Sequence, residues 1–392
     1  MEKVKLKDIC SMQSGGTPSR SKSEFYTGNI PWAKISDLEK SNDGYIYETE
    51  EHITEEALKS INNRFFKVGT LLLAMYGSVG KTAIAKIDLS TNQAILGINI
   101  IDKNNVDIKY LRYWFTTIKE QLLNRAVGAA LANISLGIVK ELEIPLPNLA
   151  TQQRIAAILD QADAIIQNNR AIVQKYDALT QSLFLDMFGD PVKNEKGWEK
   201  VKGSLIYQVK GRVGWKGYKK TDLRESGAYV IGATHIDKFG YINLTNPVYI
   251  SDEKFLESPE IIIEKNDLIF VQRGNTIGKI GLVRDVLERA TINPVVVILR
   301  PKVSPYFLLY LLLNKSILNK IIEINSGSAQ PMITQNSMNE YQFINPPLEL
   351  QNQFAERVEV IEAQKQQAQL ELAKSEELFQ SLLQKAFKGE LN

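Results

Sequence analysis

The feature that most constrains this chain is that it repeats itself. Glu2-Lys3-Val4-Lys5 returns as Glu199-Lys200-Val201-Lys202, and the glycine loop Leu71 to Gly80 returns as Leu268 to Gly278. Asn92, followed by Gln93 and an apolar run, matches Asn293, followed by Pro294 and another. Later the copies hold an offset of 199: Gly128 with Gly327, Ile134 with Ile333, Ser135 with Thr334, Pro147 with Pro346 and Gln152 with Gln351. Gln181-Ser182-Leu183 then pairs with Gln380-Ser381-Leu382, and Phe188 with Phe387. So many matches in one order mean that one unit is used twice. A length of 392 residues, more than one core usually serves, points the same way.

Each copy reads as a mixed domain followed by a helix. Apolar runs of strand length (Thr70 to Met75, Ala83 to Ile87, Ile95 to Ile101; Leu268 to Val271, Ile280 to Val283, Val295 to Leu299) are separated by glycine or polar turns. One helical stretch follows in each, Ile108 to Leu123 and Pro305 to Ile322. Beyond Leu146-Pro147 the apolar positions Ile155, Ile158, Ala162, Ile165, Asn169, Ile172, Tyr176, Leu179 and Leu183 step by three and four, as in a coiled-coil seam with one polar member. Phe354, Val358, Ile361, Lys365, Ala368, Leu372, Ser375, Phe379, Leu382 and Ala386 do the same after Pro346-Pro347, with two polar exceptions. Proline suits a helix start, and Phe188-Gly189-Asp190-Pro191 suits a helix end. Helices of about 35 residues, roughly 50 Å each, need a partner for their stripe, and each is the other's nearest. The expected fold is α/β (mixed) domains in tandem repeat, joined by two long helices that form an antiparallel coiled coil with pseudo-twofold symmetry. The expected boundaries are 1–146, 147–189, 190–345 and 346–392.

Composition excludes several classes. With 44% hydrophobic and 23% charged residues the chain is neither collagenous nor broadly disordered. The Met1 to Cys10 segment has no apolar signal region, and Tyr306 to Leu313 is too short to span a bilayer, so a buried helix in a cytosolic protein is expected. One cysteine and two histidines allow neither an internal disulfide nor a zinc cluster. Net charge is only +2, but it is unevenly spread. Residues 191–346 carry 21 Lys+Arg against 15 Asp+Glu and residues 1–146 carry 18 against 17, whereas 147–190 and 347–392 are acidic. That suits two phosphate-facing domains on acidic connectors.

Two motifs invite a catalytic reading and fail it. Gly77-Ser78-Val79-Gly80-Lys81-Thr82 lacks the earlier glycine of a phosphate-binding loop, Met75 standing in its place. Asn345-Pro346-Pro347-Leu348 lacks the aromatic residue with which adenine methyltransferases stack a flipped base. No Ser/His/Asp or Cys/His set is available, so no catalytic residue and no metal ligand is expected.

The chain resembles the specificity subunits of type I restriction-modification enzymes over essentially its whole length. The resemblance is carried by the duplicated helix starts Pro147-x-Leu149-x-x-Gln152-x-x-Ile155 and Pro346-x-Leu348-x-x-Gln351-x-x-Phe354, by the Gln-Ser-Leu-x-x-x-x-Phe helix ends, and by the segment Gln384 to Leu391. Ile30-Pro31-Trp32, Gly69-Thr70 and Gly128 to Ser135 are further landmarks, while Thr151 and Leu350 depart from the acidic residue common before the glutamine. The resemblance implies a non-catalytic DNA-binding subunit whose two domains each read half of a bipartite, asymmetric site in double-stranded DNA. Its helices would set the spacing and dock two methyltransferase subunits, with two restriction/translocase subunits joining later. S-adenosylmethionine, ATP and Mg²⁺ would belong to those partners. A helical adaptor binding proteins or glycans would explain the helices but not the paired basic domains.

Base edges need exposed donors and acceptors, and phosphates need Lys, Arg or N–H groups. The candidates in the first domain are Ser14, Gly15, Thr17, Arg20, Lys22, Lys34, Tyr76, Ser78, Lys81 and Asn133. In the second they are Lys210, Arg212, Lys216, Tyr218, Lys219, Lys220, His235, Gln272, Arg273, Asn275, Lys279 and Gln330. Arg273 is either a bidentate guanine reader or a surface salt-bridge residue; the run from 210 to 220 suits a phosphate clamp better than a base reader, with a merely solvated loop as the alternative, and Trp32 suits the core better than a stacking platform. Gln152, Ile155, Asn169, Gln351 and Phe354 are the candidates for docking partner subunits through the helices.

Overall fold

The computed structural model describes residues 2–125, 133–212, 219–244, 246–285, 287–324 and 332–391. The chain forms two compact units, Met1–Ala171 with Ala368–Asn392, and Ile172–Gln367. These units cut across the expected boundaries, because the long helices Leu149–Phe188 and Leu348–Lys388 each give one half to each unit.

In the first unit the recurring Lys3–Lys5 strand pairs antiparallel with Glu143–Pro145, closing the domain beside its helix start. The central sheet runs in the order Cys10–Ser14, Ile95–Ile100, Leu71–Ala74, Thr82–Ala85, Tyr45–Ile46, with only the last pair parallel. Leu71–Ala74 is buried on both faces, which is why it reads as an unbroken apolar run. A smaller sheet of Glu51–Ile53, Ile30–Ala33 and Ser90–Thr91, not expected from the sequence, packs its own core around Trp32, whose indole N–H donates to the Gly16 carbonyl at 3.1 Å. Its strands are too short and too mixed to show a period.

The second unit repeats the plan. Lys200–Lys202 pairs with Gln342–Ile344, and the central sheet runs Tyr207–Lys210, Val296–Pro301, Leu268–Val271, Ile280–Leu282, all antiparallel. A second sheet holds Leu223–Arg224, Tyr249–Ile250, Ala228–Ile231 and Ala290–Ile292. The apolar run at Tyr306 is a helix, Pro305–Leu313, with Phe307, Leu308, Leu309, Leu311 and Leu312 buried. Each expected single helix is in fact two: Ile108–Thr117 then Lys119–Arg125, and Pro305–Leu313 then Lys315–Ile324. In the second unit Asn314 makes the break, its carboxamide oxygen accepting from Ser316 N at 2.9 Å as a new N-cap.

Within each unit the half-helices pair antiparallel. In the second, Tyr176 meets Gln364 while Met187 meets Arg357; in the first, Asn169 meets Ser375 while Asp163 and Phe379 line one cavity. Gly189, at φ +76°, ends the first long helix and donates to the Leu185 carbonyl at 2.8 Å. The expected seam of that helix is corrected. Ile165, Ile172 and Leu179 are exposed, while Leu159, Ile166, Thr180 and Phe184 are buried in their place. Both sets keep steps of three and four; the domain core that Leu159 and Ile166 enter selects the second. The second helix keeps its expected face, with Lys365 buried against Asp177.

Candidate nucleic-acid interface

The strand register brings some candidates to one end of each central sheet. In the first domain Ser14 pairs with Leu96, Ala74 pairs with Ile95, and Met75 N donates to the Ala94 carbonyl. The chain then turns through Tyr76 and Gly77, and Tyr76 forms a backbone bridge with Asn133. Gly77 and Gly80 sit at φ +68° and +83°, so the segment that looked like a phosphate loop is a tight two-glycine turn. Ser14, Thr17, Tyr76 and Asn133 therefore share this sheet end. Exposed Gln93, whose N–H donates to the Thr17 hydroxyl, joins them; it was missed because only the register reveals the neighbourhood.

The second domain repeats the arrangement with other side chains. Lys210 pairs with Ile298, Val271 pairs with Val296, and Gln272 N donates to the Val295 carbonyl. Arg273 stands where Tyr76 stands and bridges to Met332, the counterpart of Asn133. Arg273, Gly274 and Asn275 are exposed, with Gly274 at φ +99°. The Arg273 guanidinium donates to the Pro294 carbonyl at 2.6 Å and to no carboxylate, so the salt-bridge alternative has no acidic partner among the described residues. A held, exposed guanidinium with free N–H groups is what bidentate contact with a guanine requires.

Other candidates point elsewhere. Gly15 is buried, its N–H donating to Ile95 O, and a Cβ there would lie 2.1 Å from Thr91 Oγ1. It is a packing glycine, not a contact residue. His235 is buried; Nδ1 accepts from Gly232 N at 3.0 Å and Nε2 lies 3.2 Å from Asn246 O, which consumes both ring nitrogens. Arg212 donates to Ile292 O at 2.9 Å and tethers the two sheets of its domain. Lys81 and Lys279 turn inward onto Ser41 O and Ile236 O, at 3.0 and 3.2 Å. Ser78 donates to Glu39.

Arg20 and Lys34 remain cationic but compensated. Both bind Glu51, at 2.7 and 2.6 Å, and Lys34 also reaches Glu50. Burial works against the Glu51 charge, yet the hydrogen bonds from Arg20 and Lys34 outweigh it and hold this carboxyl below the usual range. A phosphate would have to compete with that carboxylate. Arg20 also lies 4.2 Å from the Tyr26 ring, and Lys22, exposed, lies over Phe25. Lys219 is exposed and Lys220 opens a short turn with Asp222, while Lys216, Tyr218 and Gln330 lie outside the described residues.

The helix candidates are corrected too. Gln152 is fully buried: Oε1 accepts from Asp107 N at 2.9 Å, and Nε2 donates to Asn105 O and Pro147 O at 2.8 and 2.7 Å. Gln351 repeats the clamp on Ser304 N and Pro346 O at 3.1 and 2.8 Å. Ile155 and Phe354 lie in the domain cores. These four residues lock each long helix to its own domain and cannot face another subunit. Asn169 is half-buried and donates to Ser375 Oγ at 3.2 Å, so two polar seam positions answer each other.

A family model described as the type I restriction modification DNA specificity domain matches residues 1–175 and 195–373. The chain belongs to that family. Its two DNA specificity domains are the two copies of the repeat. A curated relative, the type I restriction enzyme MjaIX specificity subunit of Methanocaldococcus jannaschii, is 36% identical over 212 residues, covering 50% of this chain and 49% of the relative. The chain spans about half the length of that relative in this match. The fold is also that of a type I restriction-modification S subunit from M. genitalium (TM-score 0.58, 18% identity, 98% and 96% of the two chains). A chain from a structure addressing complex assembly and conformational transition of the type I R-M system is similar as well (TM-score 0.61, 17% identity, 100% and 98%). Among the described residues no helix is long and apolar enough to cross a membrane, and no cluster of three His, Cys, Asp or Glu could hold a metal. The specificity domains thus present one scaffold with two different sheet-end surfaces, Tyr76 with Asn133 and Arg273 with Met332.

Proposed function

We propose that this chain is the non-catalytic DNA-reading subunit of a type I restriction-modification enzyme, each specificity domain reading one half of a bipartite site. The observation that carries this reading is the equivalent exposed turn in each domain, Tyr76 in one and Arg273 in the other, at the same strand end. Identical placement with different donors suits two half-sites of different sequence, about 10 base pairs apart on one face of the duplex. The full site is then asymmetric.

Catalysis belongs to partners: two methyltransferase subunits using S-adenosylmethionine, and two restriction/translocase subunits using ATP and Mg²⁺, in the cytoplasm. Exposed Ile165, Ile172 and Leu179 on the first long helix support docking of such subunits, because large apolar side chains repeated at helical spacing are costly to leave in water. The test is selection of bound sequences from a random duplex library with this chain co-purified with its neighbouring methyltransferase subunit, at near-physiological salt. Two distinct half-sites with a fixed unread gap are expected. No enrichment from an intact complex would replace this reading with an adaptor role.

A further inference from the structure

We propose that the cavity beneath Gly44 and Gly80 in the first unit is a binding site for one phosphate-class oxyanion, held by Arg112, Lys81 and Lys119. The cavity is about 200 Å³ and is also lined by Asn42 and Asp163. Arg112 is only 6% exposed. Its NH1 donates to Asp43 O at 2.8 Å, but its buried Nε has no hydrogen-bond partner. The nearest carboxylate, Asp163, stands 3.9 Å from NH2, beyond hydrogen-bond range. The guanidinium faces the Tyr113 and Tyr45 rings at 4.5 and 5.4 Å, which offsets part of its desolvation without satisfying its donors. A buried, incompletely paired guanidinium is costly, and such sites are completed by an acceptor.

The neighbours strengthen the field. Lys81 spends one donor on Ser41 O, and its pKa is lowered first by burial and then by the charges of Lys119 and Arg112. Asp163 is a distant counter-ion, 3.9 Å from NH2, and burial raises its pKa against the opposing pull of the Gln167 hydrogen bond and of Arg112. Three cations against one carboxylate suit a dianion, and arginine offers parallel N–H groups to a phosphate. Gly44, at φ +78°, leaves the space that the guanidinium fills: a Cβ there would lie 1.5 Å from NH1.

The second unit shows that the fold does not require this cavity to be cationic. Its counterpart of Gly44 is Gly240, whose Cβ would meet Leu309, the residue at the Arg112 position counted from the Gln351 clamp. There Arg284 is closed by Glu362 in a two-bond pair at 2.6 and 3.0 Å, with Tyr306 also donating to Glu362. One unit is neutralised from within, whereas the other is left for a ligand.

The oxyanion could be free phosphate or a backbone phosphate of nucleic acid. The test is isothermal titration calorimetry of the full chain with inorganic phosphate, in chloride at constant ionic strength. One saturable site is expected. Lys119→Met, at an exposed position that folding does not need, should weaken it roughly tenfold or more, as should Arg112→Leu, which copies the second unit. Asp163→Asn should tighten it, and Lys315→Met should leave it unchanged. Loss of the phosphate site in saturating duplex DNA would identify the backbone as its source, and persistence would identify the free ion. Absence of saturable binding, or affinity in Lys119→Met and Arg112→Leu unchanged from that of the unsubstituted chain, would overturn the proposal, whatever library selection shows about sequence reading.

Discussion

The two units place different chemistry on one scaffold, and the clearest contrast lies where the first long helix and its counterpart meet their domains. In the second unit Glu362 takes both arms of Arg284, while in the first the corresponding Asp163 stops 3.9 Å short of Arg112. A leucine in place of Arg112, an arginine, Arg284, where the first unit has Lys86, and one extra methylene in the acid replace an open cationic cavity with a closed ion pair. A duplicated fold therefore conserves its clamps and strand register while its charged sites diverge freely, because clamps carry the topology and charges carry only local energy.

The largest effect expected from this contrast is in the second unit. Glu362→Ala leaves the half-buried Arg284 without its carboxylate and should lower stability by about 1.5–3 kcal/mol, measured by urea unfolding. Asp163→Asn should be neutral or slightly stabilising. Its raised pKa means that the charged form is the burden: the carboxyl favours the fold below its unfolded pKa, and that contribution is lost as pH rises through the folded value. Equal losses from the two variants would break the comparison. Next, Gln152→Leu and Gln351→Leu should cost similar amounts, about 1–3 kcal/mol each, since each leaves one backbone N–H unpaired together with the carbonyls of Asn105 and Pro147 in the first case and of Pro346 in the second. Here the units are expected to agree, and a large asymmetry would show that one clamp is dispensable.

On DNA, Arg273→Ala should lose about 1–3 kcal/mol of discrimination at one base pair of one half-site, and Tyr76→Ala should change only the other half. Library selection with each variant reads this directly; a uniform loss across both half-sites would reassign Arg273 to phosphate. The smallest effect is at Cys10, which stands where the second unit has Tyr207 at the start of its edge strand. Burial pushes its thiol up to about 12, so the nucleophilic thiolate is scarce. Iodoacetamide at pH 8 should label it only as the first unit opens, which makes the thiol a probe of that unit alone. Rapid labelling of the native chain would contradict this burial.

Much of this molecule was legible without coordinates. The repeat, the central strands, both long helices and the Gly189 helix end follow from local signals: apolar period, proline, glycine and the order of matches. Local pattern could not choose between Ile165 and Ile166 as the seam, since both keep coiled-coil spacing and only the domain core that receives Leu159 and Ile166 separates them. Nor could it tell that Gly15 and His235 are buried while Arg273 is exposed, because polarity reports what a side chain can bond, not which partner is nearest. The motif glutamines show this most plainly. The sequence by itself marked Gln152 and Gln351 as repeated features, but only the tertiary structure turned them from partner contacts into internal clamps, because their acceptors and donors lie on Asn105, Asp107 and Ser304, distant in the chain and adjacent only after folding.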